Sequence, residues 1–265
     1  MNKLIGIEWL KLKRYRTFWL LVGLFLLLLP LWNYEIANGL IKLGGGGKNG
    51  INFLSTAYSF PNVWGNMGFW ASLFIWFISI LMIIITTNEY TYRTQRQNVI
   101  DGWSKMQFFH AKVYIAVLMS IAATVYVFIL GALFGFVHSG SFNGLFSEIE
   151  QVFYFFILSL DYLGFALFIA LWIKRSGLAI GLFLLYAMII ENILKSVINH
   201  YIDKPYGNFL PLQASDELLP FPLIQMAKAL IPAASISMTT YMLVAICWCA
   251  VYYFMSRIML LRNDW

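Results

Sequence analysis

Six long apolar segments dominate this chain of 265 residues. They cover about residues 17–36, 69–88, 108–137, 152–173, 177–197 and 239–261. Each reaches or exceeds the ~20 mainly apolar residues that a helix needs to cross the hydrocarbon core of a bilayer. A soluble domain of this size has no interior large enough for a composition that is 61% hydrophobic and 11% charged. The sequence therefore predicts an all-α integral membrane protein with six transmembrane helices.

The basic residues fall mainly in alternate loops. If the N-terminus is cytoplasmic, thirteen of the 18 Lys and Arg residues lie on the inner side of the membrane. Positively charged loops stay in the cytoplasm, so this bias predicts that both termini are cytoplasmic. The net charge of +6 is thereby explained by membrane orientation, and no nucleic-acid partner is expected. Only residues 174–176 separate the fourth and fifth segments, which predicts a tight antiparallel hairpin.

The loop after the second segment contains two helix-start signals. Each is a capping box, in which a hydroxyl and a Gln side chain three residues later satisfy free backbone groups: Thr94 with Gln97, and Ser104 with Gln107. They predict a short helix over about 95–101, a turn at Gly102, and a third span that begins near residue 105. A short helix across the membrane surface is a docking element. The alternative is a solvated loop.

The first 16 residues predict a helix that lies on the cytoplasmic leaflet. Ile5, Trp9 and Leu12 follow the i, i+4, i+7 spacing of one helix face. Basic side chains, including Lys11, are expected roughly opposite that face. A helix of this kind binds the membrane interface and leads into the first span.

The order of these features resembles one transporter family. The N-terminal helix contains the sequence Glu8-Trp9-Leu10-Lys11-Leu12, and the loop contains Glu89, Thr94-Gln95-Arg96, Ser104-Lys105 and Lys112 in that order. This layout, with six spans, resembles the permease subunit of ABC-2 type ABC transporters. The chain departs from the family pattern at Gly102-Trp103, where a Pro is usual, and at Lys105, where Arg is usual.

The resemblance implies a function and a set of partners. Residues 1–265 would form one ABC-2 type transmembrane domain, the membrane subunit of an ATP-driven exporter in a bacterial inner membrane. The helix at 95–101 would be a coupling helix, seated in a groove of a separate P-loop ATPase subunit. Two ATPase copies and a second permease subunit, identical or related, would complete the working unit. ATP and Mg²⁺ would bind the ATPase, so this chain is expected to hold no cofactor and no catalytic site.

The residues to which the resemblance assigns roles form two groups. The candidate ATPase-coupling interface comprises Glu89, Arg93, Thr94, Arg96, Asp101, Ser104, Lys105 and Lys112. The candidate interfacial helix comprises Ile5, Glu8, Trp9, Lys11 and Leu12.

Three ionisable residues lie within the apolar segments. Asp161 is near the middle of the fourth span, and Glu191 and Lys195 are four residues apart in the fifth. Intramembrane charges are costly and commonly mark ion or proton paths, so a proton relay or cation site is one interpretation. The other is structural: Glu191 pairs with Lys195 near the outer interface, and Asp161 is hydrogen-bonded to a neighbouring helix.

Other classes of function are weaker alternatives. A self-sufficient secondary transporter would use Asp161 or Glu191 to carry the coupling ion. The glycine run at 44–50 lacks the P-loop pattern, because Lys42 and Asn49 occupy positions that require Gly and Ser or Thr. Three scattered histidines predict no metal site. The Pro-rich outer segment is expected to form a short helix over 218–236 that does not cross the membrane.

Overall fold

The computed structural model describes residues 2–38, 57–100, 102–202, 204–221 and 236–262, and side chains from residue 6 onward except at 96, 98 and 99. The described secondary structure is helical throughout. Its elements are α1 (Asn2–Lys13), α2 (Arg16–Ala37), α3 (Val63–Thr91), α4 (Thr94–Ile100), α5 (Lys105–Ser139), α6 (Glu150–Ile173), α7 (Ser176–Leu185), a π-helical turn (Tyr186–Ile190), α8 (Glu191–Ile202), a 3₁₀ helix (Pro205–Phe209), α9 (Gln213–Asp216) and α10 (Met238–Arg262).

Six of these helices are long and apolar enough to cross a membrane, which confirms the predicted fold class. They are α2, α3, α5, α6, the continuous α7–α8 rod and α10, each within a few residues of its predicted bounds except that α3 begins earlier. Lys174 and Arg175 alone separate α6 from α7, so the predicted hairpin is also confirmed. Lys174 ends α6 in the left-handed conformation, with φ 58°.

Helices α3 and α6 form the centre of the bundle. In the most apolar window of each, 61% and 67% of the residues are buried, against 22–33% in the other four spans. The outer spans expose large apolar side chains such as Leu27, Leu133, Leu185 and Leu243. Such side chains suit contact with lipid or with another membrane subunit.

The bundle has two ends, which we call the α4 face and the opposite face. The α4 face carries α1, α4 and the turn at 174–175, where the Lys174 ammonium lies 5.4 Å from the centre of the Tyr90 ring. The opposite face carries the 140–149 loop and the segment 204–221. There, the Trp64 indole N–H donates to the Leu145 carbonyl over 2.9 Å.

The short helix α4 and the start of α5 follow the sequence signals closely. The Ser104 box is confirmed: Ser104 Oγ accepts from the Gln107 N–H, and Gln107 Oε1 accepts from the Ser104 N–H. Gly102, between the helices, has a φ of 91°, which glycine adopts without strain. Thr94 is the first residue of α4 rather than its cap, and its hydroxyl donates to Glu89.

The chain beyond α8 folds back against the spans. The 3₁₀ helix approaches α8 closely at Gly207, whose N–H donates to Asn199 Oδ1 over 2.7 Å. α9 then reaches α6, where the Tyr162 hydroxyl donates to Asp216 over 2.9 Å. Most of the predicted helix over 218–236 lies outside the described residues.

Candidate functional site

A buried cluster of four charged side chains joins three helices at the α4 face. Lys112 on α5 donates to Glu8 on α1 over 2.6 Å and to Glu89 on α3 over 2.9 Å. Lys11 on α1 also donates to Glu89, over 2.9 Å, and lies 3.4 Å from Glu8. We call these four residues the ion-pair cluster.

The ion-pair cluster is electrically balanced, and three of its four side chains are buried. Two carboxylates face two ammonium groups, and Glu8, Glu89 and Lys112 are 2%, 4% and 1% exposed. Burial lowers the pKa of Lys11, but the neighbouring Glu8 and Glu89 outweigh it, so the pKa is raised from its ordinary value. Each charge in such a site depends on its partners, because an unpaired buried ion costs several kcal/mol, roughly 3–5 when one partner is removed.

Helix α4 is attached to this cluster through its first residue. The Thr94 hydroxyl donates to a Glu89 carboxylate oxygen and lies 3.5 Å from the Glu89 carbonyl oxygen. Only Tyr92 and Arg93 separate α3 from α4, and Arg93 has a left-handed φ of 56°. Glu89 is therefore bound at once by α1, α4 and α5. A cavity of about 180 Å³ borders this junction, with Tyr15 and Asn88 in its lining.

The family comparison decides what kind of protein carries this arrangement. The family model described as "ABC-2 family transporter protein" matches residues 4–190. This range covers nearly all of α1 to α7 and contains the whole ion-pair cluster. The chain belongs to the ABC-2 transporter family. As a permease of that family, it is a multi-pass membrane component of an ABC exporter that works with an ATPase subunit. No curated protein matches the chain significantly.

The ion-pair cluster of this ABC-2 permease combines residues that the sequence placed in two separate groups. Glu8 and Lys11 were expected on an interfacial helix, and Glu89, Thr94 and Lys112 in a coupling loop. Lys11, expected roughly opposite the apolar face of its helix, binds Glu89 on α3 and is about one third exposed. A signal for this contact exists in the sequence: Glu8 lies within an apolar stretch of α1, and Lys112 within the apolar α5.

The other predicted residues are distributed around the cluster. Leu12 is buried, whereas Trp9 is 48% exposed and packs edge-on against Phe18 of α2. Arg93 is exposed in the turn, and Ser104 and Lys105 begin α5. The side chains of Ile5 and Arg96, and all of Asp101, lie outside the described residues.

The intramembrane charges of the permease form a second polar region, towards the opposite face. Glu191 Oε1 accepts from the backbone N–H groups of Leu212 and Gln213, over 2.7 and 3.3 Å, at the start of α9. Lys195 binds Gln213 and Glu217 over 2.8 and 2.7 Å. Glu191 and Lys195 therefore do not form the direct ion pair that their spacing predicts, although the Lys195 charge still acts on Glu191. The returning chain offers both side chains better partners than they offer each other, which spacing along a single helix does not predict.

Asp161 is fully buried in α6 and is bonded to a neighbouring helix. Its Oδ1 lies 3.7 Å from Cys249 Sγ on α10. Glu191 directly follows the π-helical turn, a distortion that is frequent at functional sites. Among the described residues, no group of three or more His, Cys, Asp or Glu side chains is arranged to hold a metal ion.

Proposed function

We propose that this permease couples ATP hydrolysis by a separate P-loop ATPase subunit to export, with α4 as the coupling helix and the ion-pair cluster as its joint. The observation that carries the proposal is Glu89. This buried carboxylate binds the first residue of α4 and the ammonium groups of Lys11 and Lys112. A displacement of α4 by the ATPase would therefore reach α1, α3 and α5 together.

The physical requirement is a stiff connection between a nucleotide-driven subunit and the spans. A solvated loop of this length would absorb a displacement by bending. A short helix with a bonded end does not, because its displacement changes the geometry of paired, desolvated charges. Family membership supports this ATP-driven reading over a self-sufficient secondary transporter.

The proposed assembly contains two ATPase copies and a second permease subunit, either identical or related. ATP and Mg²⁺ would bind the ATPase copies. The exposed apolar surfaces of α2, α5, α7 and α10 are suited to lipid and to the second permease. The loop charge bias supports a cytoplasmic α4 face with both termini inside, and the family resemblance supports a bacterial inner membrane.

Charge reversal on α4 tests the coupling. Arg96 on α4 and Asp101 directly after it are the proposed polar contacts with the ATPase, because charged groups form strong hydrogen bonds across interfaces. We expect Arg96→Glu and Asp101→Arg to leave the permease inserted and folded, but to lower ATPase association and to abolish transport. The measurement is ATPase stimulation and transport in vesicles of neutral lipid, which removes any contribution from anionic headgroups of about 1 kcal/mol per basic residue.

The matched control is Arg175→Glu, because Arg175 is exposed on the α4 face but lies in the α6–α7 turn. It should retain coupling. Full ATPase association and transport in both α4 variants would contradict the proposal.

A further inference from the structure

Asp161 has an environment that the coupling proposal does not use. It lies 11 residues after Glu150, about 16 Å along α6 at the rise of an α-helix. The side chain is 0% exposed. Its Oδ1 accepts from the Cys249 thiol, a weak donor, and the Ser215 hydroxyl also acts on the carboxyl. Its Oδ2 has no hydrogen-bond partner in the described part of the chain.

A cavity of about 290 Å³ is lined by Asp216, whose carboxyl acts electrostatically on Asp161. Its polar lining comes from Tyr162, the residue after Asp161, together with Ser72, Asn192 and Asp216. Tyr162 donates to Asp216 over 2.9 Å within this lining. The volume admits several water molecules, and each would find polar partners there.

A second cavity, of about 160 Å³, lies between α5, α6 and α10. Its lining includes Cys249 and Tyr252, two side chains of α10 that interact electrostatically with Asp161. Tyr252 is 4% exposed, and its hydroxyl has no partner among the described groups. An unsatisfied buried hydroxyl is costly, and Asp161 Oδ2 is a second unsatisfied buried atom that acts electrostatically on Tyr252.

The titratable groups that face Asp161 are Glu191 from α8, Asp216 from α9, Cys249 and Tyr252 from α10, and Tyr186 from the π-helical turn. Burial and the carboxyl groups of Asp216 and Glu191 disfavour the Asp161 anion, whereas hydrogen bonds from Ser215 and the Cys249 thiol favour it. The nearby lysine, Lys195, is bound to Gln213 and Glu217. An ionised carboxylate in such a site lacks both solvent and a paired cation, so the neutral acid is its stable form.

A proton fits this site better than a metal ion. A metal ion needs several ligands in a fixed geometry, and the described residues contain no such group. A proton needs one carboxylate oxygen and a path to water. Asp161 Oδ2 supplies the oxygen, and Asp216, which faces Asp161 and lines the cavity of about 290 Å³, supplies the link to water.

We propose that Asp161 is a proton-binding site of this permease, and that it exchanges its proton with water at the opposite face through the cavity lined by Tyr162 and Asp216. In the step, a proton from that water binds Asp161 Oδ2 and converts the carboxylate into a carboxylic acid. On binding, an O–H bond of a hydronium ion breaks as the Asp161 O–H bond forms, and a water molecule is left. Release reverses both changes, and no electron is transferred.

Infrared difference spectroscopy of the full chain in lipid vesicles tests the protonation directly. In wild type, the difference between the spectra at pH 6 and pH 9 should contain a carboxylic-acid carbonyl band from Asp161 in addition to the bands of other buried acids such as Asp216. This one component should be absent in Asp161→Asn and displaced in Asp161→Glu, which keeps the acid. The measurement uses no nucleotide and no ATPase, so its result is independent of the coupling proposal. A difference spectrum that is the same in wild type and Asp161→Asn would overturn the proton site.

The exchange path is tested by the rate at which this band responds to a pH jump. A positioned proton donor typically contributes about 10²–10⁴-fold to a transfer step, so Tyr162→Phe and Asp216→Asn should each slow the response at least about tenfold. The matched control, Tyr253→Phe, changes the second cavity and should leave the rate unchanged. Equal rates in wild type and both path variants, or slowing only in Tyr253→Phe, would overturn the path.

Discussion

A single ammonium group, that of Lys112, binds two carboxylates that are almost fully buried. If it is removed, Glu8 and Glu89 keep only Lys11, which is partly exposed and lies farther from Glu8. The remaining cluster would carry a net negative charge in a place that water scarcely reaches. The stability of the α4 face therefore depends more on Lys112 than on any exposed lysine nearby.

We expect Lys112→Met to lower the free energy of unfolding by about 3–5 kcal/mol, the range observed when one partner of a buried ion pair is removed. Denaturant unfolding in bicelles measures this change. Lys13→Met is the matched control, since Lys13 is exposed on the same helix as Lys11, and a surface substitution of this kind changes stability by roughly 0.5 kcal/mol or less. Equal effects of the two substitutions would contradict a buried cluster.

Asp216 gives a pH dependence of known sign. Burial raises its pKa to about 7 from an ordinary 3.8, although the Tyr162 hydrogen bond and Lys195 oppose the shift. The folded state thus binds the proton more tightly than the unfolded state. This contribution to stability is full below about pH 3.8 and is lost as the pH rises through about 7.

We therefore expect the melting temperature of wild type to fall, relative to that of Asp216→Asn, between pH 5 and pH 8. The Asn variant cannot titrate at this position, so the difference between the two curves isolates Asp216. Thermal unfolding across this pH range measures it. A difference that stays constant, or that grows as the pH rises, would contradict the assignment.

At the scale of elements, the returning chain after α8 depends on close backbone contact. A Cβ atom at Gly207 would lie 2.5 Å from the Lys195 carbonyl oxygen and 2.8 Å from the Lys195 Cα. Both atoms belong to the backbone of α8, so they cannot move aside as a flexible side chain does. The contact holds the 3₁₀ helix against α8 and thereby positions α9.

Gly207→Ala should lower the free energy of unfolding by about 1–3 kcal/mol, the usual effect of overpacking. Gly181→Ala provides the control, because a Cβ at Gly181 meets no atom within 4 Å. Thermal unfolding of both variants gives the comparison. If Gly207→Ala is as stable as Gly181→Ala, the 3₁₀ helix does not pack on α8 as described.

The helices of this protein could be predicted from its sequence more readily than the contacts between them. The six spans follow from the length of apolar runs, and α4 follows from Ser104, Gly102 and the hydroxyl at Thr94, all of which are local signals. The ion-pair cluster joins residues as far apart as Glu8 and Lys112, so no local pattern contains it. The same reason applies to Glu191, whose true partners are backbone groups on a segment about 20 residues away.

At the scale of the whole molecule, we expect the two ends of the bundle to have different roles. The α4 face holds the ion-pair cluster and the proposed ATPase contact. The opposite face holds the returning chain and the cavity lined by Tyr162 and Asp216. The coupling proposal requires that α4, at the first of these ends, contacts the ATPase subunit.

Site-specific photo-crosslinking tests this claim most directly. A photoreactive benzoylphenylalanine at Gln97, an exposed position on α4, is compared with one at Ser147, exposed on the opposite face. The experiment is done in cells that make the permease and its ATPase. We expect a crosslink to the ATPase from position 97 and none from position 147. No crosslink from position 97 in the assembled complex, or a crosslink from position 147 instead, would contradict it.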